Sequence, residues 1–123
     1  MMFISMKEGI RRKMRLSLYT IVCICLLYIG GCVQTKSLVQ SAGIGDFESV
    51  KHALKSGEDV NTLGKYGSTA LQDASFSGHE DIVRFLLKNG ANVNFKGRAG
   101  MTALHYATKG GNKNIVRLLL DNG

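Results

Sequence analysis

The side chains with the widest chemical repertoire in this 123-residue chain are three cysteines and three histidines. Their spacing decides what they can do. Cys23 and Cys25 sit one residue apart inside an apolar run. No further Cys or His lies close enough in sequence to complete the four ligands of a structural zinc site. His52, His79 and His105 are scattered and lack paired carboxylates. Ser68, Ser75 and Ser77 have no plausible base, and no G-x-S-x-G, H-E-x-x-H or phosphate-binding loop occurs. These patterns argue against catalysis, a metal site or a bound cofactor. One thiol remains: Cys32, at the end of Leu26-Leu27-Tyr28-Ile29-Gly30-Gly31-Cys32. The chemistry it invites is done to the protein rather than by it.

What precedes Cys32 sets that chemistry. Lys7, Arg11, Arg12, Lys13 and Arg15 stand against Glu8 alone, so residues 1–31 carry +4 of the chain's formal +7. Residues 16–29 form an uncharged apolar run, followed by two glycines. A basic segment, an apolar segment and small residues, in that order, read as a secretory signal peptide. The run is short of the ~20 residues that span a bilayer comfortably. An uncleaved transmembrane anchor is the second reading, and in both the basic residues hold the N-terminus in the cytoplasm. A start at Met6 rather than Met1 gives a head of more usual length. With the head removed, the mature chain keeps one cysteine and forms no internal disulfide.

In this context Ile29-Gly30-Gly31-Cys32 resembles a bacterial lipobox. The resemblance implies cleavage before Cys32 and a lipid on its sulfur, with residues 1–31 as the signal peptide and 32–36 as a short tether. Each buried CH₂ of an acyl chain contributes ~0.8 kcal/mol, so two or three chains hold a protein stably at a membrane. Lipobox proteins usually have Leu where Ile29 stands, and Gly30 is a less common choice. Val33, rather than Asp, follows the cysteine, which leans toward the outer membrane where there is one. The expected location is a cell membrane or outer membrane, facing the periplasm or the exterior.

Beyond the tether the chain repeats itself. Gly67, Thr69-Ala70-Leu71, Ala74, Gly78, Ile82-Val83-Arg84, Leu86-Leu87 and Asn89-Gly90 recur 33 residues later. Their counterparts are Gly100, Thr102-Ala103-Leu104, Ala107, Gly111, Ile115-Val116-Arg117, Leu119-Leu120 and Asn122-Gly123. A fainter copy runs backward through Leu38, Gly45, Val50, Leu54, Gly57, Val60 and Asn61. Apolar residues at helical spacing give each unit an amphipathic second helix. Asp46 and Asn112 fall at N-cap positions, and glycines follow each helix where a left-handed residue is wanted. His52 and His79 read as surface or cap residues. With no proline in the chain, turns rest on glycine.

A 33-residue period with Thr102-Ala103-Leu104-His105-Tyr106-Ala107 resembles the ankyrin repeat and its T-P-L-H-x-A signature. The resemblance implies an all-α repeat solenoid over residues 37–123, in units of about 37–61, 62–94 and 95–123. It implies that Thr102 and His105 hydrogen-bond locally and brace the helix start. It also implies binding of another protein through finger turns and the concave face of the first helices. Carried over by position, the fingers present Lys65, Tyr66, Ser68, Arg98, Ala99 and Met101, and the concave face presents Gln72, Asp73, Ser75, Tyr106 and Thr108. Tyr66, Arg98 and Tyr106 lead this set because Tyr and Arg concentrate binding energy at interfaces. Tyr106 has a second reading, packing on the neighbouring unit. Gly64 and Gly97 replace the family's usual Asp at the finger opening, which predicts looser tips.

Residues 32–123 hold 11 basic and 8 acidic groups, interspersed, without the basic stripe and interleaved aromatics of a nucleic-acid surface. The partner is expected to be a protein of unknown identity. The third unit stops at "LLLDNG", which predicts that its Ile115/Val116/Leu119 face lacks a neighbour. A truncated product, an exposed last helix, or completion by a partner or second copy each account for that. A self-assembling envelope component is the alternative function.

Overall fold

Helices of seven to ten residues are too short to be stable alone in water, so here they exist only through packing. The computed structural model describes residues 36–123. The signal peptide, the Cys23/Cys25 pair and Cys32 lie outside the described residues. Six helices run in three antiparallel pairs: α1 (Leu38–Ile44) with α2 (Phe47–Lys55), α3 (Ala70–Ser77) with α4 (Glu80–Lys88), and α5 (Ala103–Lys109) with α6 (Lys113–Asn122). The first helices pack on one another in the order α1, α3, α5, and the second helices in the order α2, α4, α6. This is an all-α repeat solenoid.

The 33-residue period is the period of burial. Leu38 and Leu71, Val50 and Val83, and Leu86 and Leu119 are repeat equivalents, all essentially inaccessible to solvent. Each contributes roughly 1.5–3 kcal/mol by leaving water. Ser41, Ala74 and Ala107 share another repeat position and are fully buried; being small, they let paired helices approach closely. Phe47 and Phe85 join the second-helix row edge to face, with ring centroids 5.2 Å apart. The expectation of an uncovered Ile115/Val116/Leu119 face needs correcting. Ile115 and Leu119 are each only 1% exposed because α6 packs on α4, and the residue left in water is Leu120, at 61%.

Glycine ends the first helices where the chain must turn back. Gly78 has φ +86°, and a Cβ there would stand 2.9 Å from Oδ1 of Asn112. Asn112 therefore does not cap its own helix, as its position suggests. Its Nδ2 instead crosses to the preceding unit and donates to the carbonyls of Ser75 (2.7 Å) and Phe76 (3.1 Å). These are orphan acceptors at the end of α3, which otherwise have no intrahelical partner. His79 takes the same place one unit earlier, its ring lying over Gly45. Asp46, the equivalent in the first unit, does cap its helix: its carboxylate accepts from the Ser49 N–H (3.2 Å) and hydroxyl (2.8 Å).

At Gly64 and Gly97, where the family's usual Asp is absent, backbone hydrogen bonds close the finger turns. The Gly64 N–H donates to Ser68 O (2.8 Å) and the Gly67 N–H to Gly64 O (2.9 Å); one period on, Gly97 donates to Met101 O (3.2 Å) and Gly100 to Gly97 O (2.8 Å). A side chain is excluded at Gly97 because a Cβ would stand 2.7 Å from Gly67 O and 2.8 Å from Gln72 Oε1. The missing Asp is the cost of close approach between units.

Candidate functional site

Thr69 and Thr102, at the starts of α3 and α5, take the cap position that Ser37 holds at α1. Thr69 and Gln72 form a reciprocal capping box: Gln72 N–H donates to Thr69 Oγ1 (3.3 Å), and Thr69 N–H to Gln72 Oε1 (3.0 Å). In the third unit His105 does this work. The Thr102 N–H donates to His105 Nδ1 (3.2 Å), and Thr102 Oγ1 lies 2.8 Å from the same nitrogen. The expected bracing by Thr102 and His105 is what the geometry contains.

Gln72, expected on the recognition surface, is not there. It is 1% exposed. Its Nε2 donates to the carbonyls of Phe95 (2.9 Å) and Met101 (3.0 Å), both in the finger of the next unit. Gln72 is thus a bracket between units. Ser75 is likewise buried, with its hydroxyl donating to Leu71 O at 2.6 Å. Both are covered by the third unit. At the equivalent positions His105 and Thr108 are exposed, so a surface assigned by repeat position holds only where no further unit stacks.

The remaining expected residues fall into two groups. Lys65, Tyr66, Arg98 and Met101 lie on the fingers. Tyr66 is 83% exposed, with Lys65 Nζ 5.9 Å from its ring centroid. The Arg98 stem lies against Gly67, and its N–H donates to Gly67 O at 2.8 Å; Arg98 is exposed and Met101 only partly so. Asp73 and Tyr106, repeat equivalents on α3 and α5, border a hollow of about 330 Å³ on the concave side, together with Gly43, Phe76, Ser77 and Lys109. Tyr106 is partly buried.

Phe76 and Lys109 are functional candidates that the sequence reading passes over, although Phe76 is 48% exposed. The available signal is the repeat itself. Positions 43, 76 and 109 are equivalents occupied by Gly, Phe and Lys, a row that varies in size and charge while the rows of Leu38, Gly45 and Val50 do not vary.

Two carboxylates have displaced titrations, in opposite senses. The Ser49 hydroxyl and N–H, helped by Lys36 at 3.2 Å, hold Asp46 below its ordinary value of 3.8. Its stabilisation is present above pH 3.8 and is lost as pH falls through the lowered folded value. Burial pushes Asp73 up, with the Ser68 hydroxyl pulling the other way. A raised carboxyl favours the folded state as protons bind, so Asp73 costs stability at neutral pH, and that cost is relieved as pH falls through its raised value toward 3.8. Asp73→Asn is therefore expected to be more stable than the wild type at pH 7, with the gap narrowing toward pH 4. Urea midpoints measured across that range check this, and a gap that widens on acidification would refute it.

Among the described residues no group of three or more His, Cys, Asp or Glu side chains is placed to hold a metal ion. No helix among them is long and apolar enough to cross a membrane. No curated protein sequence matches the chain. A family profile described as ankyrin repeats, in three copies, matches residues 38–123. Ankyrin repeats are typically a non-enzymatic protein-interaction module, and the match covers more than half of the sequence: the chain belongs to the ankyrin-repeat family.

Proposed function

We propose that this protein is a membrane-anchored lipoprotein whose ankyrin array binds another protein through its finger turns and concave face. Ankyrin repeats support the protein-binding part. For the finer reading, one observation carries the anchor: Ile29-Gly30-Gly31-Cys32 behind a basic and then an apolar segment. The domain reading rests on the same motif, with residues 1–31 as signal peptide, 32–36 as tether and 37–123 as the array. The array works outside the cytoplasm, and Tyr66, Arg98, Met101 and Lys65 on the fingers meet the partner together with Asp73 and Tyr106.

Head-to-tail self-assembly is the weaker reading. Stacking a second copy on α5 would bring its Asp46 to the place that Asn112 takes on α3. Asn112 donates there to two carbonyls, whereas an ionised carboxylate only accepts. A self-assembling envelope component thus meets an electrostatic mismatch at its first contact.

The anchor is tested by feeding labelled palmitate to cells that express the wild type or Cys32→Ser. Label on the wild type alone, with a mature mass beginning at Cys32, is expected. An unlabelled chain of full mass would replace the lipid with an uncleaved membrane stem, and an unlabelled shorter chain would mean an ordinary secretory signal.

A further inference from the structure

The concave hollow exists because one side chain is missing from a row. Phe76 and Lys109 project from equivalent positions on α3 and α5, and at the same position on α1 stands Gly43. Beside the gap lies Asp73, its Oδ2 3.7 Å from where a Cβ on Gly43 would stand. Among the described residues the ion pairs are Lys36–Asp46, Lys51–Glu48 and Arg84–Glu80. Asp73 thus has no cation within pairing distance, although Lys109 lines the same hollow.

An anion held partly out of water beside a half-exposed Phe76 and a Tyr106 is complementary to a cation on an apolar stem. A guanidinium or ammonium group gains a charge-assisted hydrogen bond from the carboxylate and a favourable contact from an aromatic face. The planar guanidinium gains more, since it also stacks. Asp73 offsets the repulsion from Lys109 for one incoming cation but not for several, which favours a lone basic residue over a basic run. We propose that this hollow takes a single basic side chain of the bound protein, arginine in preference, with its charge on Asp73 and its stem against Phe76 and Tyr106. This deepens the protein-binding reading and rests on it.

The test uses ¹⁵N-labelled full-length protein in detergent micelles, titrated with N-acetyl-arginine amide and with its neutral isostere N-acetyl-citrulline amide. The arginine probe is expected to shift the amides of Asp73, Ser77 and Tyr106 saturably at millimolar concentration, and the citrulline probe to bind about tenfold more weakly. Asp73→Asn is expected to erase that preference. Gly43→Leu, which refills the row and suits a helix better than glycine, is expected to exclude both probes while leaving the amide spectrum folded. Equal binding of the two probes, no saturable shift, or a preference that survives either substitution would each overturn the proposal. Photo-crosslinking from position 66 in cells separates this from the broader reading. A crosslinked protein found alongside a failed arginine titration leaves protein binding standing and removes only the basic-side-chain assignment.

Discussion

Leu86→Ala is expected to lower folding stability by about 2–5 kcal/mol, and by more than Leu119→Ala, although the two leucines are repeat equivalents of nearly equal burial. Leu86 is fully buried and Leu119 1% exposed. Truncation removes the same atoms at each site and leaves the same kind of cavity. The sites differ in what the cavity disturbs. In an array, stability is close to a sum of unit terms and nearest-neighbour terms. Leu86 lies on α4, which packs on α2 and α6 alike, whereas Leu119 lies on α6, which packs on α4 alone within the second-helix row. A described portion of this size holds on the order of 4–13 kcal/mol in total, so the middle truncation consumes a large share of it. Urea unfolding followed by circular dichroism at 222 nm reads the difference. Equal losses at the two sites would show that the three units unfold with no middle-unit penalty.

Much of this architecture is legible in the residues alone, because the repeat writes the same physical requirement three times. Val50, Val83 and Val116 mark one face of each second helix, and the glycine at 45, 78 and 111 marks each reversal, with φ between +73° and +86°. The features that escape such a reading live in relations between units. Asn112 carries a side chain that fits an N-cap, and only the proximity of α3 sends its amide across to Ser75 and Phe76. Asp46, at the equivalent position, has no described unit before it and caps its own helix. The same position therefore does two jobs, decided by whether a neighbour's carbonyls are within reach.

The candidate site is legible by halves for a related reason. Tyr66 and Arg98 project from turns, and turns stay at the surface whatever the stacking. Gln72 and Ser75 point into the contact with the third unit and are buried, whereas Asp73, on the same helix, points away from it and stays partly exposed, so the face a side chain takes depends on the neighbouring unit. Phe76 escapes because an apolar residue in an amphipathic helix reads as core, and its exposure arises from the empty place at Gly43 one unit away. On the proposed reading, recognition chemistry resides where equivalents differ, in the row of Gly43, Phe76 and Lys109 and in the pair of Asp73 and Tyr106. Stability resides where they agree.

Gln72 tests how far one buried amide couples two units. Gln72→Ala is expected to cost about 3 kcal/mol, since it strands the buried Thr69 N–H and the part-buried carbonyls of Phe95 and Met101, each worth roughly 1–3 kcal/mol and not additive. Gln72→His should recover part of the loss, because His105 already shows that an imidazole nitrogen satisfies the threonine N–H at this position. Gln72→Glu is the sharper probe. One carboxylate oxygen keeps the bond to Thr69, but the other faces two carbonyls as a buried anion, so at pH 7 this variant should be less stable than Gln72→Ala. That ordering reverses on acidification. A carboxyl facing acceptors titrates above its ordinary range, and stability returns as pH falls through that raised value and the protonated form donates to a carbonyl. Crossing of the two variants' stabilities between neutral and acidic pH is the expected result. Parallel profiles would mean that Gln72 acts by filling space rather than by tying the finger of the third unit to the second.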